Sequence, residues 1–148
     1  MTADPVHYVQ QNQPDGVPPL ELTGERTLPD VPEENYWYQR HLVVYQWIRE
    51  HVAGQKVIDM ASGEGYGANV LADAAKEVVA VEANPEAFAH AVARYPRVRF
   101  ERSLVETYNE PADAVTFLQT IEHVQDPGAV LENFKRSAPA AFVSTPNV

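Results

Sequence analysis

Gly63, Gly65 and Gly67 stand at alternate positions directly after the short apolar run Val57-Ile58-Asp59-Met60. A glycine-rich turn between a strand and a helix lets a ligand approach the backbone closely and aims free amide groups at it. Asp59 precedes the turn by four residues. A carboxylate there attracts a cation and repels a diphosphate. Glu82 follows a second apolar run, Val78-Val79-Ala80-Val81. A strand-end carboxylate can accept hydrogen bonds from both hydroxyls of a ribose. Further on, Glu122 and His123 adjoin. An unperturbed imidazole titrates near neutrality and can act as a general base. With one good oxygen ligand beside it, the pair is a poor cage for a hard divalent ion, and no metal site is expected.

Two ligand classes use such a turn. Gly63, Gly65 and Ala68 fit the dinucleotide spacing G-x-G-x-x-G/A, which points to an NAD(P)-binding oxidoreductase domain. Asp59 argues instead for a ligand that carries positive charge, such as the methionine end of S-adenosylmethionine. Glu82 serves the ribose of either.

The elements that must position these residues can be read from periodicity. Trp37, His41, Val44, Tyr45, Ile48 and Val52 fall at helical spacing in a segment from about Glu33 to Val52, with Asp30 as its cap and Gly54 at its end. Most of its aromatic residues are expected in the core, although the density of Tyr36, Trp37, Tyr38, Tyr45 and Trp47 also permits a pocket-covering role. Strands are expected at Lys56–Met60, Val78–Glu82, Val98–Glu101, Ala114–Leu118 and Ala140–Ser144. Between them lie helices at about Ala68–Ala75, after the Asn84-Pro85 cap, and after the Asp126-Pro127 cap. Strand and helix alternate through short connections, so the expected fold is α/β, a parallel sheet with helices on both faces. Ligands of such sheets bind beyond the carboxyl ends of the strands, where the glycine turn, Glu82 and the Glu122-His123 pair fall.

Composition narrows the function further. The 148 residues carry 11 Lys and Arg against 21 Asp and Glu, a formal net charge of −10, so nucleic-acid binding is not expected. There is no cysteine, which excludes disulfides, thiolate metal sites and cysteine nucleophiles. No apolar run reaches the roughly 18–20 residues that cross a bilayer, and no leader pattern is visible, so a cytoplasmic protein is expected. Six of the 12 prolines lie in the first 32 residues among polar types, so residues 1–22 are expected to form a mobile or peripherally docked tail, with residues 23–55 a helical segment.

The run from Val57 to Gly67 resembles the first motif of class I S-adenosylmethionine-dependent methyltransferases of the small-molecule type. Val79-Ala80-Val81-Glu82 resembles their ribose-binding strand end. Gln119 to Pro127 resembles the segment after their fourth strand, and Ser144-Thr145-Pro146-Asn147 the end of their fifth. Gly24-Glu25-Arg26 and the helix after it resemble the N-terminal extension of one bacterial subgroup. The resemblance implies a Rossmann-like fold, with residues 56–148 supplying about five of the family's seven strands. It implies S-adenosyl-L-methionine as cofactor and an oxygen or nitrogen of a small molecule as methyl acceptor. It puts Asp59, Ala61, Gly63 and Gly65 on the methionine side and Glu82 on the ribose. Ser103 and Leu104 would lie near the adenine, and Gln119 and Ile121 beside the cofactor. Arg40 would pair with the methionine carboxylate, and His123 is the candidate base. A chain ending after the fifth strand leaves that strand as an edge, through which a homodimer is expected. A cofactor-binding fold without catalytic activity is the further alternative.

Overall fold

The strands are the apolar runs read above, and their side chains alternate between two covered faces. The computed structural model describes residues 7–24 and 26–146. Met1–Val6 of the expected tail, Glu25, and Asn147 of the last motif lie outside the described residues. In chain order the elements are α1 (Asn35–Arg49), β1 (Lys56–Met60), α2 (Tyr66–Leu71), β2 (Glu77–Val81) and α3 (Pro85–Arg94). They are followed by β3 (Arg99–Glu101), β4 (Ala114–Leu118), α4 (Pro127–Ser137) and β5 (Ala140–Ser144). The five strands form one parallel sheet in the order β3-β2-β1-β4-β5. The chain winds outward from β1 in one direction and then restarts at β4, so strand order reverses between β1 and β4.

Val57, Val78, Ala80 and Ala114 pack with Tyr45, Ile48, Leu71, Ala91 and Tyr95, under α1, α2 and α3. Ile58, Met60, Val79, Val81, Val115 and Phe117 pack on the other side with Val130 and Phe134 of α4. The rings of Phe117 and Phe134 meet edge to face at 5.1 Å. Asn133 of α4 donates to the carbonyls of Val105 and Tyr108 and so holds the connection between β3 and β4 on this layer. β5 differs from the inner strands: among the described residues it pairs only with β4, and Ala140, Ala141 and Val143 are exposed.

Several local expectations change. Asp30 does not cap α1. Pro32 opens a separate 3-10 turn, Pro32–Glu34, ahead of the helix, and Val31 and Glu34 precede the two elements without side-chain caps. Asp30 itself is too far back; it has φ of 64° and accepts from Gln13. α2 begins earlier and ends earlier than expected, because Gly65, with φ of 102°, starts it and the chain turns at Ala72. The two proline caps form as read: Asn84 accepts from the amide of Ala87, and Asp126 from that of Ala129.

The described part of the tail lies against the body. Val9 and Glu21 form an antiparallel bridge, Gln10 accepts from the amide of Leu20 and donates to the carbonyl of Pro29, and Val17 is buried. Leu20, Leu28 and Val31 pack on Ala87 of α3. Among the described residues, no helix is long and apolar enough to cross a membrane.

Candidate active site

At the carboxyl ends of β1, β2 and β4, where strand order reverses, the structure has a cavity of about 510 Å³. Its floor is Ala61, Ser62 and Gly63, its sides are Glu82 with Asn84 and Leu118 with Gln119 and Thr120, and its roof comes from Arg26, Thr27, Glu34, Trp37 and His41. The size suits a small organic ligand, for which such sites run to roughly 300–1,000 Å³.

The floor is shaped by its backbone. Ala61 and Gln119, the residues after β1 and near the end of β4, both have positive φ, 57° and 55°. Non-glycine residues adopt that conformation at a cost of about 1–3 kcal/mol, and such strain concentrates at ligand sites. The amide of Gln119 is held by the carbonyl of Ser144 at 2.9 Å, and its side chain by the Ser144 hydroxyl at 3.1 Å. A Cβ built on Gly63 would meet nothing nearer than the Arg26 side chain at 3.9 Å, so this glycine fronts open space. The Ser62 hydroxyl is buried, lines the cavity and has no hydrogen-bond partner. A buried donor without a partner costs about 1–3 kcal/mol, so it suits a ligand atom above it.

Glu82 joins the floor to the wall. One carboxylate oxygen accepts from the amide of Gly63 at 2.8 Å, and the other from the amide of Asn84 at 2.9 Å. Each oxygen keeps a further lone pair, so the group can still accept two hydroxyls while fixed in place.

Asp59 is placed otherwise than the charge argument requires. It is fully buried on the α1 side of the sheet and does not line the cavity. The Thr116 hydroxyl donates to it at 2.7 Å, and the Tyr45 hydroxyl lies 3.2 and 3.3 Å from its two oxygens. Burial pushes its carboxyl up to about 7 despite those two donors. The physical reason is the pleat: Asp59 shares the face of Val57, and α1 covers that face. It anchors Tyr45, whose ring forms part of the cavity wall. Gly65 is likewise structural, because a Cβ there would lie 2.9 Å from Tyr95, 3.1 Å from Ala91 and 3.1 Å from Phe100.

The other expected site residues divide. Ala61, Gly63, Glu82, Gln119 and His123 line the cavity. Ile121 does not; it packs against the core on the α4 side of the sheet. Ser103 and Leu104 lie beyond β3, outside the cavity lining, with Leu104 exposed and its carbonyl accepting from the amide of Tyr108. Arg40 lies apart from the cavity: it donates to the Tyr36 hydroxyl and stacks over the rings of Tyr36 and Trp37. Arg40 is the residue just before His41, and neighbouring helix positions do not share a face, which is why the roof passes it by.

Sequence reasoning missed Arg26, Glu34 and His41 as cavity residues, and gave Trp37 a pocket-covering role only as the lesser reading. Trp37 and His41 were read as part of the buried helix face. That face is buried only in its second half, at Tyr45 and Ile48; its first half overhangs the cavity. His41 has one ring nitrogen 2.7 Å from the carbonyl of Trp37, which fixes its Nδ1 as the donor and leaves Nε2 as an acceptor. His123 is 76% exposed, with Nε2 3.6 Å from Glu122.

Glu64, on the turn, is buried and accepts from the Tyr95 hydroxyl at 2.6 and 2.8 Å and pairs with His90 at 2.7 Å. The other nitrogen of His90 bonds the carbonyl of Pro18 at 2.7 Å. Burial lowers the affinity of this imidazole for its proton, but the bonds to Glu64 and Pro18 outweigh it and hold its pKa above the ordinary value. This buried chain ties the N-terminal segment to the glycine turn. A second tie joins the Thr27 and Tyr66 hydroxyls at 2.5 Å.

Comparison with known proteins agrees with this architecture. A family model described as a methyltransferase domain matches residues 36–148. A probable S-adenosylmethionine-dependent methyltransferase of Mycolicibacterium smegmatis is 42% identical over 134 residues, covering 86% of this chain and 52% of the relative. One of Mycobacterium tuberculosis is 40% identical, covering 86% and 49%. The chain thus spans about half the length of the curated relatives it matches. Among solved structures, the DhpI–SAH complex superposes with a TM-score of 0.61 at 24% identity, covering 70% of this chain and 53% of that one. The N-terminal domain of EvdMO1, solved in the presence of SAH and D-fucose, gives 0.62 at 20% identity, covering 69% and 48%. These likenesses share the fold, and the family match sets the oxidoreductase alternative aside. The family model runs from α1 to the end of the chain and takes in the glycine turn and all five strands, so the chain belongs to the methyltransferase domain family.

Proposed function

We propose that the cavity binds S-adenosyl-L-methionine and serves methyl transfer to an oxygen or nitrogen of a small molecule. The observation that carries this reading is Glu82, fixed by two backbone amides with lone pairs left for a diol, beside a floor opened by Gly63 and an unpartnered Ser62 hydroxyl. Ala61 and Gln119 flank that floor. The names of the relatives, and the SAH in the neighbours' structures, support the cofactor. When bound, the cofactor supplies a methyl group already activated on a sulfonium. The chain's own part is to align acceptor and methyl carbon, to exclude water beneath the α1 overhang, and to take a proton where the acceptor must lose one. His123, on the cavity wall, is the base the sequence singles out. His41 is a second candidate because its Nε2 is left free as an acceptor. A cytoplasmic location goes with this reading.

The test is calorimetric titration with S-adenosylhomocysteine. Glu82→Ala is expected to weaken binding about tenfold or more, roughly 1.4 kcal/mol. Unchanged affinity in a variant that melts normally would refute the ribose role. NAD should give no thermal stabilisation.

We further propose a homodimer through β5. Among the described residues its outer edge has no strand partner, its faces expose Ala140, Ala141 and Val143, and Trp47 of α1 stands half exposed beside Phe142. Unpaired parallel edges recruit other strands. Light scattering should report a dimer; a monomer at high concentration would count against it.

A further inference from the structure

Both ring nitrogens of the buried His90 meet acceptors. Nδ1 lies 2.7 Å from the carbonyl of Pro18, and Nε2 lies 2.7 Å from a carboxylate oxygen of Glu64. A neutral imidazole carries one N–H and can donate to one of them. Making both bonds takes one more proton than a neutral imidazole and a carboxylate hold between them. Tyr95 does not relieve this, since its hydroxyl donates to the same carboxylate. Among the other groups facing the pair, Arg94, one turn along α3, disfavours charge on the imidazole, and Tyr38 of α1 and Tyr66 of α2 face Glu64. Burial raises the pKa of those two phenols and of Tyr95, so all three stay neutral around neutral pH. The pair joins two parts of the cavity. Glu64 borders it beside Gly63, and Pro18 belongs to the N-terminal segment whose Gly24, Arg26 and Thr27 supply part of its lining. Beside the Pro18 bond, Leu20, Leu28 and Val31 pack on Ala87, one turn back along α3 from His90. An apolar pair of similar volume would often hold a segment as well or better, so what the ionic pair adds is a response to protons.

We propose that Glu64 and His90 form a proton-dependent latch on the cavity: with the shared proton in place the N-terminal segment is held down as roof, and when that proton leaves to solvent one of the two bonds is lost, the segment loosens and ligand affinity falls. His90 does not line the cavity, so its role is positional. The ligand half of this inference rests on the proposed cofactor reading. Binding that needs the closed roof needs the proton, so the ligand takes up protons as it binds and binds more weakly as pH rises. Burial disfavours the imidazolium, but the bonds to Glu64 and Pro18 hold its pKa above the ordinary value, so the loss falls above about 6.5.

The test uses the whole chain and S-adenosylhomocysteine. Calorimetry at about pH 6 and about pH 8.5, in buffers of different ionisation heat, gives the affinity and the protons taken up. Amide exchange of Gln10, Gln11 and Leu22, whose amides are bonded within the segment, reads its closure without ligand once the intrinsic pH dependence is removed. Wild type is compared with the double variant Glu64→Gln/His90→Gln, which leaves no buried charge, and with Asp59→Asn, because that carboxyl also titrates at about 7. Wild type is expected to lose about fivefold or more in affinity between the two pH values, to take up protons on binding, and to exchange faster in the segment at the higher one. Asp59→Asn should keep these responses and the double variant should lose them. Equal affinity and equal segment exchange at both pH values in wild type would overturn the latch, whether or not the variants fold. A response that persists in the double variant, or vanishes in Asp59→Asn, would overturn it too. A segment that loosens with pH in a wild type binding no S-adenosylhomocysteine at either value would sink the cofactor reading and leave the latch standing.

Discussion

His90→Gln is expected to destabilise the protein by about 3–5 kcal/mol, the usual loss when one partner of a buried ion pair is removed. His90 and Glu64 have fully buried side chains, 2.7 Å apart. Without the imidazole, Glu64 keeps only the Tyr95 hydroxyl, and the carbonyl of Pro18 loses its donor. The N-terminal segment that carries Arg26 and Thr27 would loosen with it. Urea denaturation measures the loss, and the pair Glu64→Gln with His90→Gln should recover part of it, because no unpaired charge is then left behind. Additive losses would mean that the two groups act independently.

The same pair shapes the pH dependence. The folded pKa of His90 is raised, so its contribution is fully present below the unfolded value of about 6.5 and is lost as pH rises through the higher folded value. Asp59 acts in the same sense. Its carboxyl titrates at about 7 in the fold against about 3.9 unfolded, so stability falls as pH climbs between those values. Glu110 opposes them at the acid end: donors from Lys56, Tyr108 and Arg99 lower it to about 2, and its contribution is lost as pH drops from about 4.5. Melting temperature should therefore peak on the acid side of neutrality and decline toward pH 8.5, with the upper part of that decline flattened in His90→Gln.

Gly67→Ala is the second large effect. A Cβ at Gly67 would stand 2.1 Å from the Tyr45 ring, with two more ring carbons within 2.5 Å. Tyr45 is buried, and its hydroxyl is one of two side-chain donors to Asp59. Moving the ring costs about 1–3 kcal/mol in overpacking, and weakening the Asp59 contact adds up to a similar amount. The better helix propensity of alanine returns at most about 1 kcal/mol. The expected net loss is roughly 2–4 kcal/mol, with weaker S-adenosylhomocysteine binding because the displaced ring belongs to the cavity wall. Tyr45→Leu in the Gly67→Ala background should restore part of the stability that either change removes alone. A fully stable Gly67→Ala would show that the two helices can part without cost.

The glycine turn shows where sequence reading ends. Three alternate glycines after an apolar run announce a ligand-facing turn, but they do one job each in the fold. Gly63 fronts the cavity, Gly65 admits Tyr95, Ala91 and Phe100, and Gly67 admits Tyr45. Only the packed partners distinguish them.

The sequence by itself determined the five strands, their parallel sense, the two proline caps and the place of Glu82 at a strand end, because alternation, capping and strand-end position are local properties of the chain. The tertiary structure alone decided which acid faces the cavity. Asp59 and Glu82 are both strand-end carboxylates; the pleat turns the first under α1, and the second clears the strand and folds back on the turn. It also decided which arginine enters the cavity. Arg40 and Arg26 are both cations of the N-terminal segment, and their placement depends on how the segment docks through Leu20, Leu28 and the Pro18–His90–Glu64 chain. Those contacts join residues up to 72 positions apart. Periodicity reports a residue's neighbours along its own element, and it carries no information about a partner brought there by the fold.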